Sequence, residues 1–537
     1  MATQDRVVVG LAEEPDLLVQ DFTGRHSTWA VLSPLTLKLI RYDDHWRPWA
    51  ELAERVPGTR DGSWRRDDDG RTTVTYRLRA GLRWHDGTPL TARDAVAAFE
   101  LLRSLRADYP HRPIVEAIEE MHVTGDDGLS LTVRWGNAKP YAPFEEWGTV
   151  LPARLLQSAT LDDPGRWTRE ESLRCPISHG PFRIGEWVAG SHLRLVRHAR
   201  HPRGMPRLSE IEFRFFRDPA ELRDAVAGGR VHVTELSGFS AADAEALAGC
   251  SPRVRVANVP SSMWEHLDFN LSDRHLADLR VRQAIAHAID REAIAAEVHR
   301  GLCQVAHSWL PPRHPAHNDQ VERYPHDPRR SRELLAAAGF RPGPGGVLID
   351  PDGRPLSFGL LTTARPGGGR WTASSSRPLV AERMARQLAA VGIELRPEAV
   401  TADKAFARFR SRDFPHLAMF AWSIGLEANG YLMWHSSQVP DGPGCYGTNL
   451  PGWRSALNDQ VLEKIIAEGD PDARDKLIRE QQVEWARQLP SLPLFFLPQV
   501  NAYDAGLRNV RYVGAFGTYV TWNCWQWAWD RDQDGTP

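Results

Sequence analysis

The chain has 537 residues, with 66 lysines and arginines against 69 aspartates and glutamates and a formal charge of -3. With 42% hydrophobic and 25% charged residues it has an ordinary globular composition, and the near-neutral balance excludes the basic stripe that nucleic-acid binding needs. No run approaches the roughly 18 consecutive apolar residues of a spanning helix, so no transmembrane segment is expected.

In chain order, Arg6 to Leu11 is a strand that runs into a turn closed by Pro15. A helix is expected over about Ser33 to Ile40. Thr72 to Arg79 alternates with a period of two, which predicts a half-buried strand. Trp84-His85-Asp86-Gly87-Thr88-Pro89 is then a turn, and Thr91 is the N-cap of a helix Ala92 to Arg103 with Asp94 at its third position. Leu129 to Trp135, Phe182 to Trp187, Leu193 to Arg197 and Ile211 to Phe216 are further strands separated by Gly and Pro. Beyond Phe269 apolar residues recur every three to four positions over Asp278 to Arg300, Ser331 to Ala338 and Leu379 to Val391, the spacing of amphipathic helices. Leu310 to Pro328 and Arg341 to Gly353 are Pro- and Gly-rich connections. Strands at Leu356 to Thr362 and Ile393 to Val400 bracket the Leu379 helix, a βαβ pattern. Val461 to Leu489 reads as helix, Leu492 to Leu497 as strand, and the chain from Asn509 onward is rich in β formers.

Five cysteines, Cys175, Cys250, Cys303, Cys445 and Cys524, lie far apart with no CxxC pair, so neither a disulfide framework nor a zinc module is read. His198 and His201 have no carboxylate or thiol at ligand spacing, and His307, His314 and His317 lie in a Pro-rich loop, so no metal is expected. Hydrolase, kinase and dehydrogenase motifs are missing, and no cofactor is expected.

Several segments resemble the family 5 extracellular solute-binding proteins, which deliver oligopeptides, dipeptides, nickel complexes and related solutes to ABC importers. The most specific is Leu78-Arg-Ala-Gly-Leu-Arg-Trp84-His-Asp-Gly-Thr-Pro-Leu-Thr-Ala-Arg-Asp-Ala-Val, similar to the family signature around its H/S-D-G-x-P core. A second is Phe269-Asn270 followed by Leu279-Arg-Val-Arg-Gln-Ala-Ile-Ala-His-Ala-Ile-Asp-Arg-Glu. Gly180-Pro-Phe-Arg-Ile, Glu333-Leu-Leu-Ala-Ala-Ala-Gly-Phe, Gln387-Leu-Ala-Ala-Val-Gly-Ile-Glu-Leu and Pro490-Ser-Leu-Pro-Leu-Phe follow in family order. The resemblance covers nearly the whole chain. It implies an α/β, two-lobe periplasmic-binding-protein fold, a Venus flytrap of class II or cluster C type with an extra N-terminal subdomain. Residues 1–50, 170–268 and 498–537 would form lobe I, 51–169 the extra subdomain packed on it, and 269–497 lobe II, with crossings near Phe269 and Leu497. A monomer that traps solute in an interlobe cleft is expected.

The resemblance places ligand contacts in three regions. Before the first crossover, Trp264 offers an aromatic wall and His266 lies beside it. After the strand Leu356 to Thr362, Arg365-Pro366 resembles an Arg-Pro that holds a ligand carboxylate in dipeptide binders, with Arg370 and Trp371 close by in sequence; a guanidinium matches a carboxylate in two parallel bonds. The third is the stretch from Trp422 through Glu427, Asn429 and Tyr431 to Trp434. Here the sequence departs from the pattern, because Gly425 and Leu426 stand near the place of the aspartate that pairs with a peptide's α-ammonium. An ammonium desolvated there without a partner costs several kcal/mol, so an aromatic-lined surface for a flatter, less cationic solute is expected. Glu427 is the candidate substitute.

The opening Met1 to Asp5 lacks a basic and an apolar signal region. Two compartments therefore stay open: extracytoplasmic, at the cell surface or in the periplasm with an ABC permease as partner, where a signal was removed, and cytoplasmic where Met1 is the native start. The alternative function is a cytoplasmic flytrap recruited as an enzyme or ligand-binding component of a small-molecule biosynthetic pathway, with Glu427, His266, Arg365 or Cys445 as acid-base or orienting groups.

Overall fold

Arg6–Leu11 lies in the interior of a sheet, parallel to Glu210–Phe215 on one side and to Val233–Glu235 on the other. Burial on both faces explains why its run Val7-Val8-Val9 is continuous rather than alternating. His192–Arg197 and Phe182–Val188 extend the sheet antiparallel outward. The computed structural model describes residues 5–136, 150–199, 201, 204–235, 237–364, 372–425, 429–440, 447–515 and 517–530. The chain divides into two units, residues 1–259 with 499–537, and residues 260–498. The boundaries fall inside two long strands, Val254–Phe269 and Ser491–Asp504, the first of them ahead of Phe269.

Within the first unit a separate four-stranded antiparallel sheet runs Trp64–Arg66, Thr72–Arg77, Ser130–Trp135, Ile118–Thr124. Its alternation is real: Leu131, Val133 and Trp135 face a core shared with Tyr76, Trp84, Phe99 and Leu102. The helix Ala92–Ser104 starts where the sequence signals it, because Thr91 and Asp94 form a reciprocal capping box in which the Thr91 amide donates to Asp94 Oδ2 at 2.9 Å. The helix expected over Ser33 to Ile40 lies earlier, at His26–Leu35, and Ile40–Tyr42 is a strand. Most of that helix is buried, so no one-sided apolar stripe marks its start.

The second unit holds Glu394–Val400, Ser357–Thr363 and Leu417–Ser423 as parallel neighbours, followed by Val254–Phe269 and Ser491–Asp504. The helix between the first two strands in sequence, Thr372–Ala389, begins seven residues before the expected Leu379 and contains Pro378. Two long expected helices are each broken. Asp278 to Arg300 is Leu279–Ala288 and Arg291–His299, with the Asp290 side chain capping the Ala293 amide. Val461 to Leu489 belongs to Ala456–Ala467 and Pro471–Gln488, the latter capped by Asp470 with Pro471 at its first position. Arg341–Pro342 and Leu348–Ile349 pair as a small hairpin inside an expected connection. Beyond Asn509, Val520–Gln526 is 3-10 helix and Ala528–Trp529 pairs with Leu507–Arg508.

The arginines of the segment Leu279 to Glu292 tie this unit together. Arg282 is buried and donates to the carbonyls of Leu276, Ala277, Gln488 and Leu489, the last two ending the helix Pro471–Gln488. Arg291 donates to Ala306, Tyr324 and Pro493. Burial pushes both guanidinium groups down to about 10, and carbonyl oxygens with lone pairs to spare replace the water they lose.

Candidate functional site

Val254–Phe269 pairs antiparallel with Leu417–Ser423, and the register sets Trp264 opposite Trp422 and His266 opposite Phe420. Side chains alternate across a strand, so Trp264, His266 and Asp268 share one face while Met263, Glu265 and Leu267 share the other.

On the first face Trp264 is 0% exposed and stacks flat on His266, which is 1% exposed, at 4.0 Å. Trp434, 2% exposed, meets Trp264 edge-on at 6.0 Å, and Trp485 closes the cluster at 5.9 Å from Trp264. The structure thus puts Trp264 and Trp434 inside packed core rather than at an open wall. His266 is committed as well: its Nδ1 faces the Trp264 carbonyl at 3.2 Å and its Nε2 faces Asp268 Oδ1 at 3.5 Å, while Asp268 accepts from Ser491 Oγ.

Trp422 and Tyr431 pack against the edge of that cluster as half-buried residues. Trp422 stands edge-on to Phe420 at 5.2 Å and near Phe406 at 6.2 Å, and Ser423 beyond it is exposed. Asn429 Oδ1 accepts from the Tyr431 amide at 2.9 Å and starts the single helical turn Tyr431–Trp434. Gly430 is required there: its φ is +77°, and a Cβ would stand 3.0 Å from Trp434 and 3.1 Å from Trp309. A chain of buried amides holds the turn from below. Asn458 Nδ2 donates to the Trp434 carbonyl, Gln481 Nε2 to Asn458 Oδ1, and Trp309 Nε1 to Gln481 Oε1, at 2.7, 3.0 and 3.0 Å. Tyr431 lies on His435 at 4.4 Å, and His435 Nδ1 accepts from the Ser437 amide. Arg365, Arg370, Trp371, Leu426, Glu427 and Cys445 lie outside the described residues.

Sequence reasoning missed the other face of the first strand. Glu265 receives Arg377 in two parallel bonds of 2.6 and 2.8 Å, and Arg377 also donates to Thr363 Oγ1. Both side chains are buried. The signal available was a carboxylate between Met263 and Leu267 on one strand face, which needs a counter-charge when buried.

The signature turn belongs to the first unit. Trp84 is buried against His179 at 5.1 Å, His85 Nε2 reaches the Gly180 carbonyl at 3.0 Å, and Asp86 Oδ1 accepts from the Thr88 amide while its Oδ2 meets Arg154. His85 and His179 are pushed down to about 4 and about 3 by burial, so both are neutral imidazoles at neutral pH. His198 packs on His85 at 4.7 Å, His314 Nδ1 accepts from the Ala316 amide and His317 Nδ1 faces the Leu310 carbonyl. Among the described residues no three His, Cys, Asp or Glu side chains are grouped to hold a metal ion, and no helix is long and apolar enough to cross a membrane.

A family model described as bacterial extracellular solute-binding proteins, family 5 Middle, matches residues 52–442. The chain is 21% identical to the oligopeptide-binding protein AppA of Bacillus subtilis over 513 residues, covering 94% of this chain and 89% of AppA. The oligopeptide-binding protein of Thermus thermophilus, solved with a pentapeptide, superposes with a TM-score of 0.68 at 25% identity over 99% of this chain and 97% of that one. The substrate-binding protein CtaP of Listeria monocytogenes gives a TM-score of 0.77 at 18% identity over 98% and 99%. The fold is therefore the α/β fold of class II periplasmic binding proteins.

Proposed function

The chain belongs to the family 5 bacterial extracellular solute-binding proteins, and on that premise we propose that it captures a peptide-like or other small organic solute for an ABC importer, through a surface that departs from the peptide-carrier pattern. The observation that carries the departure is the end of the strand Leu417–Ser423. Trp422 keeps partial exposure there, and Gly425 stands near the place where the resemblance puts a carboxylate. A peptide ammonium desolvated beside Trp422 would find no counter-charge from Gly425, whereas an apolar or neutral group gains from the indole face. The peptide named with the Thermus protein, and the name of AppA, support the peptide-like class. Delivery to an importer puts the protein on the extracytoplasmic side.

Titration calorimetry with trialanine and N-acetyl-trialanine, alongside native mass spectrometry of the protein for co-purifying solute, tests this reading. Acetylation is expected to leave affinity unchanged or to raise it. A large loss on acetylation would show that an ammonium partner exists and would overturn the departure. Binding of neither peptide, with a solute of another class carried through purification, would overturn the peptide-like class and keep solute capture.

A further inference from the structure

The four-stranded sheet of the first unit carries a cavity on its polar face. Alternation buries Leu131, Val133 and Trp135 on one side and turns Thr132 and Arg134 to the other. The register lays two rows across that polar face: Arg65, Thr73, Arg134 and Glu120 in one, and Thr75, Thr132 and His122 in the next. The threonines are short and the residues around them long, and the difference leaves an open trough of about 510 Å³. That volume falls within the roughly 300–1,000 Å³ of small-ligand sites. Among the described residues its lining is wholly polar or charged.

What the trough can hold follows from how its groups are committed. Arg65 Nε donates to Asp67 Oδ1 at 2.9 Å, and Asp67 Oδ2 accepts from Thr73 Oγ1 at 2.6 Å. Arg134 Nη2 donates to Asp69 Oδ2 at 2.6 Å, and its Nη1 stands 3.5 Å from Glu119. Glu120 faces His122 Nδ1 at 3.4 Å. Both guanidinium groups of the trough are thus matched to carboxylates, and an entering anion would meet those negative partners as well. An apolar group would find no apolar wall to cover it. Hydroxyls suit the remaining chemistry. The Oγ1 atoms of Thr75 and Thr132 are 3.1 Å apart and those of Thr132 and Thr124 3.3 Å apart, a chain that crosses three strands. Three hydroxyls bring three protons, and the two bonds among them use two, so the chain has one proton and several lone pairs to share with a partner.

We propose that this trough is a binding site for a neutral saccharide. Each sugar hydroxyl donates and accepts, as the threonine chain requires, and the N–H groups of Arg65 and Arg134 that their carboxylates leave over donate to sugar oxygens at the edge. The site draws on residues of the first unit alone and does not rest on the solute-capture reading above.

Protein labelled with 13C at its threonine methyls, titrated with maltotetraose and with tetra-N-acetylchitotetraose, tests the proposal. At least one of the two is expected to move the Thr75, Thr124 and Thr132 methyl signals saturably. Thr132→Val keeps the shape and the strand preference of the residue, and is expected to weaken that saccharide about tenfold at an unaltered melting temperature. Thr132→Ser, which keeps the hydroxyl, is expected to weaken it less. Thr75→Val, at the end of the chain, is the second variant should Thr132→Val lower the melting temperature. Failure of both saccharides to move these methyls at about 10 mM would overturn the site, as would binding that the valine variants leave unchanged. A sulfated heparin tetrasaccharide is expected to bind no more tightly than the neutral ones. Tighter binding of it that fades with added salt would overturn the neutral class.

Discussion

Trp264 and Trp422 occupy opposed positions on neighbouring strands and do different work. Trp264 is enclosed by His266, Trp434 and Trp485, so Trp264→Ala opens a cavity and is expected to cost about 3–5 kcal/mol, read as a lower denaturant midpoint. Trp434→Ala belongs with it. Trp422→Ala removes a half-buried ring, and calorimetry is expected to show weakened solute binding with a stability loss well below that of Trp264→Ala. Equal stability losses for the two would show that Trp422 is core too. Both residues are Trp within strands that no sequence period marked, and nothing local distinguishes them. Enclosure is set by Trp309, Trp434 and Trp485, which arrive from distant segments. A second residue-scale expectation concerns acid. His85 is pushed down to about 4 from 6.5 by burial, so between those values the unfolded chain binds a proton that the folded chain refuses. Stability therefore falls as pH falls through that window, by on the order of 3 kcal/mol for such a shift. His85→Gln is expected to flatten the pH dependence of the urea midpoint between pH 6.5 and 4; an unchanged slope would assign the loss to other groups.

At the scale of elements, the buried pair Glu265 and Arg377 clips the helix Thr372–Ala389 to the strand Val254–Phe269. Removing one partner leaves an uncompensated buried charge, so Glu265→Leu or Arg377→Met alone is expected to destabilise by about 3–5 kcal/mol. The double replacement Glu265→Leu with Arg377→Met is expected to recover most of that loss, which a double-mutant cycle on unfolding free energies checks. Additive losses would mean that the two residues act separately. Elements themselves were largely legible where a cap or a strict period marked them. Thr91 with Asp94 announced its helix, and Thr72 to Arg77 announced its strand. The breaks at Asp290 and at Asp470-Pro471 carried local signals as well, yet apolar spacing on both sides ran through them and read as one helix. The helix His26–Leu35 was displaced for the opposite reason, since burial around nearly all its circumference erases the stripe that periodicity detects.

For the whole molecule, residues 260–498 are continuous in sequence and hold their own cores, one around Leu267, Ile285 and Leu494 and another around Trp264 and Trp485. A fragment of those residues is expected to unfold in one cooperative transition with near-ultraviolet dichroism from its buried indoles. A fragment with secondary structure but no such signal would show that the unit needs the rest of the chain to pack. The sequence by itself determined the family, the α/β class, the capped helices and the alternating strands, because each rests on patterns a few residues long or on segments that keep their order. Only the tertiary structure decided which tryptophans are core and that Glu265 meets Arg377. Burial and charge pairing are properties of partners brought together by folding, and these partners come from segments that no local period relates.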